Sequence, residues 1–413
     1  MLVLEKVFRQ PDFSTRPVQA ALRSFLYQGA GTLLEHFSSV LRQFNCLRRN
    51  SQTAAAKVRY KAERLDRNSK WESKGLGTIL NFAMTVRENE LIGRIYKALG
   101  RFGTSHQVLL GIGDDAALFR PQAGHELILT CDWFLEGTHF LREKHPPDSV
   151  GWKCLGRALS DVAAMGGTPR CFLLSFALPA SLTGRWLDDF LGGLRRASRK
   201  FGCALAGGDT TNRKEVLINI SVVGEVRTDH AVLRSGARTG NLIYVSGNLG
   251  EAELGLQILR RSGRTANPKN PLLKKHLYPD PRLELGQWLA ERRLVSAMMD
   301  LSDGLSSDLP RLCAASGVGA RLESERIPQV RGLDAARKHG LDPLELALHG
   351  GDDYELLFTV PPQKAKFLTR ALRRVKLTLI GQITQKAELV VCDENGRERQ
   401  LVAGGWDPFR KAR

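Results

Sequence analysis

DLSDGLSSDL, residues 300–309, decides how the fold is read: two aspartates three apart, a glycine, then the start of a helix predicted over Ser306–Ser316. Acid-containing junctions of this kind recur at Gly113-Asp114-Asp115, Thr130-Cys131-Asp132, Ser160-Asp161, Gly207-Gly208-Asp209-Thr210-Thr211 and Gly350-Gly351-Asp352-Asp353. Most are expected where a strand ends or a helix begins, which is where α/β folds collect ligands. Outward from them, periodicity predicts helices at Glu88–Gly100, Val150–Met165, Leu187–Phe201, Gly250–Arg260 and Arg282–Arg292. Strands are predicted at Val108–Ile112, Leu127–Thr130, Phe172–Leu178, Val216–Val226, Leu242–Ser246, Leu356–Val360, Leu377–Ile380 and Leu389–Cys392. Strands interleaved with helices in both halves favour an α/β (mixed α+β) fold of two lobes over a bundle or a sandwich. The polar turn Thr228–Asn241 marks a boundary, giving domains 86–232 and 233–413 behind an extension, 1–85.

The chain has 413 residues, 42% of them hydrophobic, enough for two or three cores. No window reaches the ~18 apolar residues of a membrane span, and no N-terminal segment has the form of a secretory signal. Seven scattered cysteines without a C-x-x-C pair argue against a disulfide framework, and a cytoplasmic protein is expected. Nine histidines without H-E-x-x-H spacing argue against a zinc hydrolase. The net charge is +18, of which +8 falls in residues 1–85. Within that extension Val18–Phe44 has amphipathic spacing. The segment reads as a flexible tail or as sequence upstream of a natural start at Met84, ahead of a nucleic-acid arm.

Singly, each aspartate is explained as a turn former or helix cap. Together they are not, because paired acids repel in a packed site unless cations neutralise them. Oxygen donors without a His or Cys cluster point to Mg²⁺, which completes its shell with water and substrate phosphates. Glycines at 207–208 and 350–351 would let backbone N–H groups approach anionic oxygens. The set suggests phosphoryl transfer. No Walker A or protein-kinase pattern occurs. Trp152 and Met165 read as core, and His139, taken alone, as a packing histidine.

In this order the stretches GIGDDAAL (111–118), TCDWFLEGTHF (130–140), VGWKCLGRALSDVAAMGGTP (150–169), GGDTT (207–211), DLSDGLSSDL, GGDDYELLF (350–358) and GWDPF (405–409) resemble the thiamine-monophosphate kinase family. That family shares a superfamily with aminoimidazole ribonucleotide synthetase, and the resemblance runs from about Glu88 to Phe409. It implies transfer of the ATP γ-phosphate to thiamine monophosphate, several Mg²⁺ ions, and a homodimer formed through a sheet of the N-terminal lobe. It further implies metal ligation at Asp115, Thr130, Cys131, Asp132, Asp161, Asp209, Asp300 and Asp303, and ATP contacts at Gly208, Asp209, Arg234 and Ser302. Substrate contacts are implied at His139, Asp352 and Trp406. No catalytic side chain is expected, because a phosphate nucleophile needs positioning and metal charge more than a base.

Two positions depart from the family pattern. Cys131 stands where Thr is usual, leaving a backbone carbonyl as the ligand for a hard cation. Asp352 stands where Glu is usual, one methylene shorter. Two alternatives remain beside this reading: another ATP-dependent synthetase of the superfamily, and a basic nucleic-acid-binding protein acting through residues 1–85.

Overall fold

The structure, a computed structural model, describes residues 88–100, 106–112, 115–263, 265–368 and 375–409. The extension 1–85, with the helix expected at Val18–Phe44 and the start expected at Met84, lies outside the described residues, as does Asp114.

Helix α1 (Glu88–Ile95) continues as a π-turn to Gly100, and the hairpin β1 (Val108–Leu110) and β2 (Leu118–Phe119) follows. A four-stranded sheet then forms from β3 (His125–Leu135), β4 (Thr168–Leu178), β5 (Ala204–Asn212) and β6 (Leu217–Arg227), in the order β3-β6-β4-β5. Only β4 and β5 run parallel. Alternation decides its faces. Ile128, Phe134, Phe172, Leu174, Phe176, Ile218, Ile220 and Val222 point inward and pack with helices α2 (Pro147–Ala164) and α3 (Arg185–Phe201). On the other face Leu127, Leu129, Trp133 and Leu173 are exposed.

A seven-stranded sheet occupies the second half: β7 (Leu242–Ser246), β8 (Ala297–Leu301), β9 (Gly319–Glu323), β10 (Glu355–Val360), β11 (Leu377–Thr384), β12 (Leu389–Cys392) and β13 (Glu398–Gln400). Their order is β13-β12-β9-β11-β7-β10-β8, parallel only between β12 and β9. Helices α6 (Leu305–Ser316) and α7 (Pro343–His349) share its core, while α4 (Glu251–Arg261) packs on α7 and α5 (Leu283–Glu291) on α2.

Helix α2 is the central element. It touches β3 and β6 on one side and α5, β8 and β10 on the other, so one apolar core runs from the first sheet to Met298 and Phe358. The approach to α5 requires Gly286, where a Cβ would stand 2.0 Å from the Ala163 carbonyl oxygen. Trp152 packs against this core and donates its Nε1–H to the Pro279 carbonyl at 2.7 Å, in line with its expected core role.

Three expected junctions are corrected. Gly207-Gly208-Asp209 is not a junction but the middle of edge strand β5. The glycines serve a register shift between Phe172 and Leu173, and a Cβ on Gly208 would meet the Leu174 carbonyl oxygen at 2.0 Å. Thr130-Cys131-Asp132 likewise falls in the middle of β3, and Asp300 inside the fully buried β8.

Candidate active site

The loop after β8 is shaped by an acid further along the DLSDGLSSDL stretch. Asp308, in the first turn of α6, accepts the backbone N–H groups of Ser302, Asp303 and Gly304 at 3.1, 3.0 and 3.1 Å. Arg311 pairs with Asp303 at 2.5 Å and Asp308 at 2.8 Å. Asp353 has an equivalent task, accepting the N–H groups of Gly250 at 2.5 Å and Ala252 at 3.1 Å at the start of α4. Burial pushes the carboxyls of both Asp308 and Asp353 up to about 7.

Three loops are stitched together. The N–H of Asp352 bonds the Ser302 carbonyl at 2.8 Å, that of Tyr354 the Leu301 carbonyl at 2.9 Å, and that of Trp406 the Asp303 carbonyl at 2.9 Å. Asp352 and Tyr354 are held at φ 66° and 50°, a left-handed conformation uncommon for non-glycine residues and concentrated at functional sites.

Against these loops α2 presents Lys153, Arg157 and Asp161, which share one helix face by their four-residue spacing. From β3, the strand period aims Thr130 and Asp132 to the same side, and the Thr130 hydroxyl donates to Asp161 Oδ2 at 2.5 Å. Asp300 is 3% exposed. Burial, with the neighbouring Asp161 charge second, pushes its carboxyl up to about 8. Burial raises Asp161 as well, although the Thr130 hydroxyl opposes the shift. Among the described residues neither Asp161 nor Asp300 has an ion-pair partner.

These groups open on a cleft of about 620 Å³. Eight expected site residues line it: Asp132, His139, Asp161, Asp300, Ser302, Asp303, Asp352 and Trp406. The N–H of Leu135 donates to His139 Nδ1 at 3.0 Å, which leaves the proton of the neutral ring on Nε2. Burial, then the Arg157 charge, lowers this imidazole to about 4. Asp352 accepts from Lys153 Nζ at 2.7 Å and from the Tyr354 hydroxyl at 2.6 Å. Burial alone would raise its pKa, but Lys153 and Arg157 outweigh burial and hold the carboxyl well below the usual range. Trp406 stands in the wall, 44% exposed.

The remaining expected residues do not line this cleft. Thr130 stands behind Asp161. Asp115 is exposed after β1, and Gly208 and Asp209 lie on edge strand β5. Arg234 is exposed after β6, near enough for its charge to act on Asp161. The side chain of Cys131 turns to the opposite face of β3, where Asn219 Nδ2 donates to its Sγ at 3.1 Å. Lys153, Arg157, Tyr354 and Asp308 were not singled out in the sequence; the spacing of 153, 157 and 161 in an otherwise apolar helix was the available signal for two of them.

Two α/β lobes with a carboxylate-lined cleft define a class, and the sequence matches it: residues 113–226 match the AIR synthase related protein N-terminal domain and residues 238–393 its C-terminal domain. The thiamine-monophosphate kinase of Escherichia coli (strain K12) is 38% identical over 333 residues, 79% of this chain and 99% of that protein. The solved thiamine-monophosphate kinase from Stenotrophomonas maltophilia K279a is 34% identical, covers 73% of this chain and 95% of its own, and superposes with a TM-score of 0.64. AaThiL complexed with AMPPCP and TMP is 33% identical, covers 78% and 97%, and gives a TM-score of 0.62. The chain belongs to the thiamine-monophosphate kinase family.

Proposed function

We propose that this chain transfers the γ-phosphate of ATP directly and in line to thiamine monophosphate, giving thiamine diphosphate. The observation that carries the reading is that one cleft is lined both by the carboxylates Asp132, Asp161, Asp300 and Asp303 and by His139, Asp352 and Trp406. The AaThiL relative was solved complexed with AMPPCP and TMP.

The carboxylate set fits magnesium. Asp161 and Asp300 are like charges set side by side away from water, an arrangement that a divalent cation relieves. No three His, Cys, Asp or Glu side chains form a ready-made metal cluster among the described residues. Thr130, Asp132, Asp161, Asp300 and Asp303 are the assigned holders, with Asp115, Asp209 and the Cys131 carbonyl completing the proposed set. When bound, magnesium neutralises charge on the phosphates during transfer.

The chain's own groups orient the reactants. His139 offers Nε2–H to the acceptor, Asp352 is fixed as a hydrogen-bond acceptor, and Trp406 can stack on the flat cationic rings of thiamine. Gly208, Asp209, Arg234 and Ser302 are assigned to ATP. We assign residues 86–232 and 233–413 to the two lobes and the cytoplasm as the location, where the six described free cysteines would stay reduced. We further assign a homodimer through the outward face of the four-stranded sheet, where Leu129 and Trp133, 72% and 55% exposed, form an uncovered apolar row with Leu127 and Leu173.

Incubation with ATP, Mg²⁺ and thiamine monophosphate, followed by chromatography, should yield thiamine diphosphate. Absence of product from folded protein would overturn the reading.

A further inference from the structure

The charged face of α2 holds three groups of different standing. Asp161 belongs to the carboxylate set. Lys153 is 1% exposed and committed, giving Nζ to Asp352 at 2.7 Å and lying 3.2 Å from His276 Nδ1. Arg157 is neither. Its side chain is 15% exposed, lines the cleft and lies over the Phe134 ring at 5.7 Å. Its hydrogen bonds, among the described residues, are two long ones to Asp132: Nε to Oδ2 at 3.3 Å and Nη2 to Oδ1 at 3.5 Å.

Charge-assisted bonds usually measure ~2.7–2.9 Å, and a guanidinium carries about five N–H donors. Arg157 thus keeps three donors without a protein partner while most of its side chain is out of water. Those donors open on the cleft, where a bound anion would take the place of water. The planar fork matches the oxygens of a phosphate. The single carboxylate that now touches it, Asp132, is one assigned to magnesium, so a cation and a phosphate arriving together would satisfy both partners of this loose pair.

We propose that Arg157 binds the phosphate monoester of the acceptor, and that this contact makes the cleft select thiamine monophosphate over thiamine. The inference rests on the kinase reading above and deepens it. The γ-phosphate of ATP offers the same chemistry, but the surroundings favour the acceptor. The groups that act on the guanidinium are Tyr354, Asp132 and Asp352, and its own charge acts on His139, so it faces two of the three assigned acceptor contacts, His139 and Asp352, from its place beside Asp132.

The test is calorimetry with Mg²⁺ and no nucleotide, using thiamine monophosphate, thiamine and inorganic phosphate as probes on the full chain and on Arg157→Gln and Arg157→Lys. The wild-type chain should bind thiamine monophosphate about 10- to 100-fold more tightly than thiamine, the span expected of a charge-assisted contact. Arg157→Gln should erase that preference, leaving thiamine affinity and the KM for ATP within about threefold, while Arg157→Lys restores part of it. A wild-type chain that makes thiamine diphosphate, together with a Gln variant that still prefers the phosphorylated acceptor, would overturn this inference alone. Equal weakening of both acceptors, or a rise confined to the KM for ATP, would also overturn it. A wild-type chain that makes no product would overturn the kinase reading and this inference with it.

Discussion

Asp300→Asn should make the metal-free protein more stable while abolishing its activity. The carboxyl of Asp300 is 3% exposed and held at about 8 in the fold, against an ordinary value of 3.8. A folded value above the unfolded one means that the unfolded chain releases this proton first, so stability falls as pH rises from about 4 to about 8. By pH 8 the ceiling on this penalty is roughly 5 kcal/mol, at ~1.36 kcal/mol per pH unit. Asparagine keeps the shape and removes the charge, but it buries an amide whose unmet donors cost about 1–3 kcal/mol. The net gain is therefore at most about 2–4 kcal/mol, a rise of up to roughly 3–6 °C in Tm at ~2.1 cal/mol/K of unfolding entropy per residue. Thermal melts in chelator at pH 8 and pH 5 are the assay. The rise should be larger at pH 8, added Mg²⁺ with ATP should stabilise the wild type more than the variant, and product formation by the variant should fall at least about 100-fold. An Asn variant that melts at or below the wild type at pH 8 in chelator would refute the reasoning.

Other expectations follow from the metal set that the family resemblance implies, from the buried histidines and from the packing of β5. Asp209→Asn should nearly abolish turnover, and undiminished product formation would remove Asp209 from the metal set. His139 and His145, both lowered by burial to about 4 from 6.5, are neutral in the fold, so the unfolded chain binds more protons on them between those values; their contribution falls as pH drops from about 6.5 to about 4, opposite in sign to that of Asp300, and the Tm of His145→Gln relative to the wild type should rise over that interval. Gly208→Ala should destabilise more than Gly207→Ala in denaturant titrations. At 208 the new Cβ meets the Leu174 carbonyl oxygen at 2.0 Å, whereas at 207 it meets only a Leu173 methyl at 3.4 Å.

Strands β7 and β12 have the bounds the sequence predicts, because each is an apolar run between polar or glycine-containing turns. β8 escaped because AMMDL carries an aspartate, and an acid in a fully buried strand signals a site more than a local propensity. β5 escaped because its paired glycines read as a turn, while their use is close approach to β4. Its neighbours, not its own composition, make it a strand. At the site, the recurring acids made the carboxylate set legible. Asp308 and Asp353 show why single acids were not: both cap backbone N–H groups, a role no local pattern separates from ligand binding. Arg157 stayed hidden because its meaning depends on Asp132 and Asp352, 25 and 195 residues away in the chain. Only folding brings these groups together.

The central claim is that Asp132, Asp161, Asp300 and Asp303 hold divalent cations against the phosphates of ATP. Electron paramagnetic resonance of Mn²⁺ titrated into the protein with a non-hydrolysable ATP analogue tests it most directly. The account predicts saturable uptake by the wild type that weakens at least about tenfold in Asp161→Asn; uptake that is the same in both proteins would contradict it.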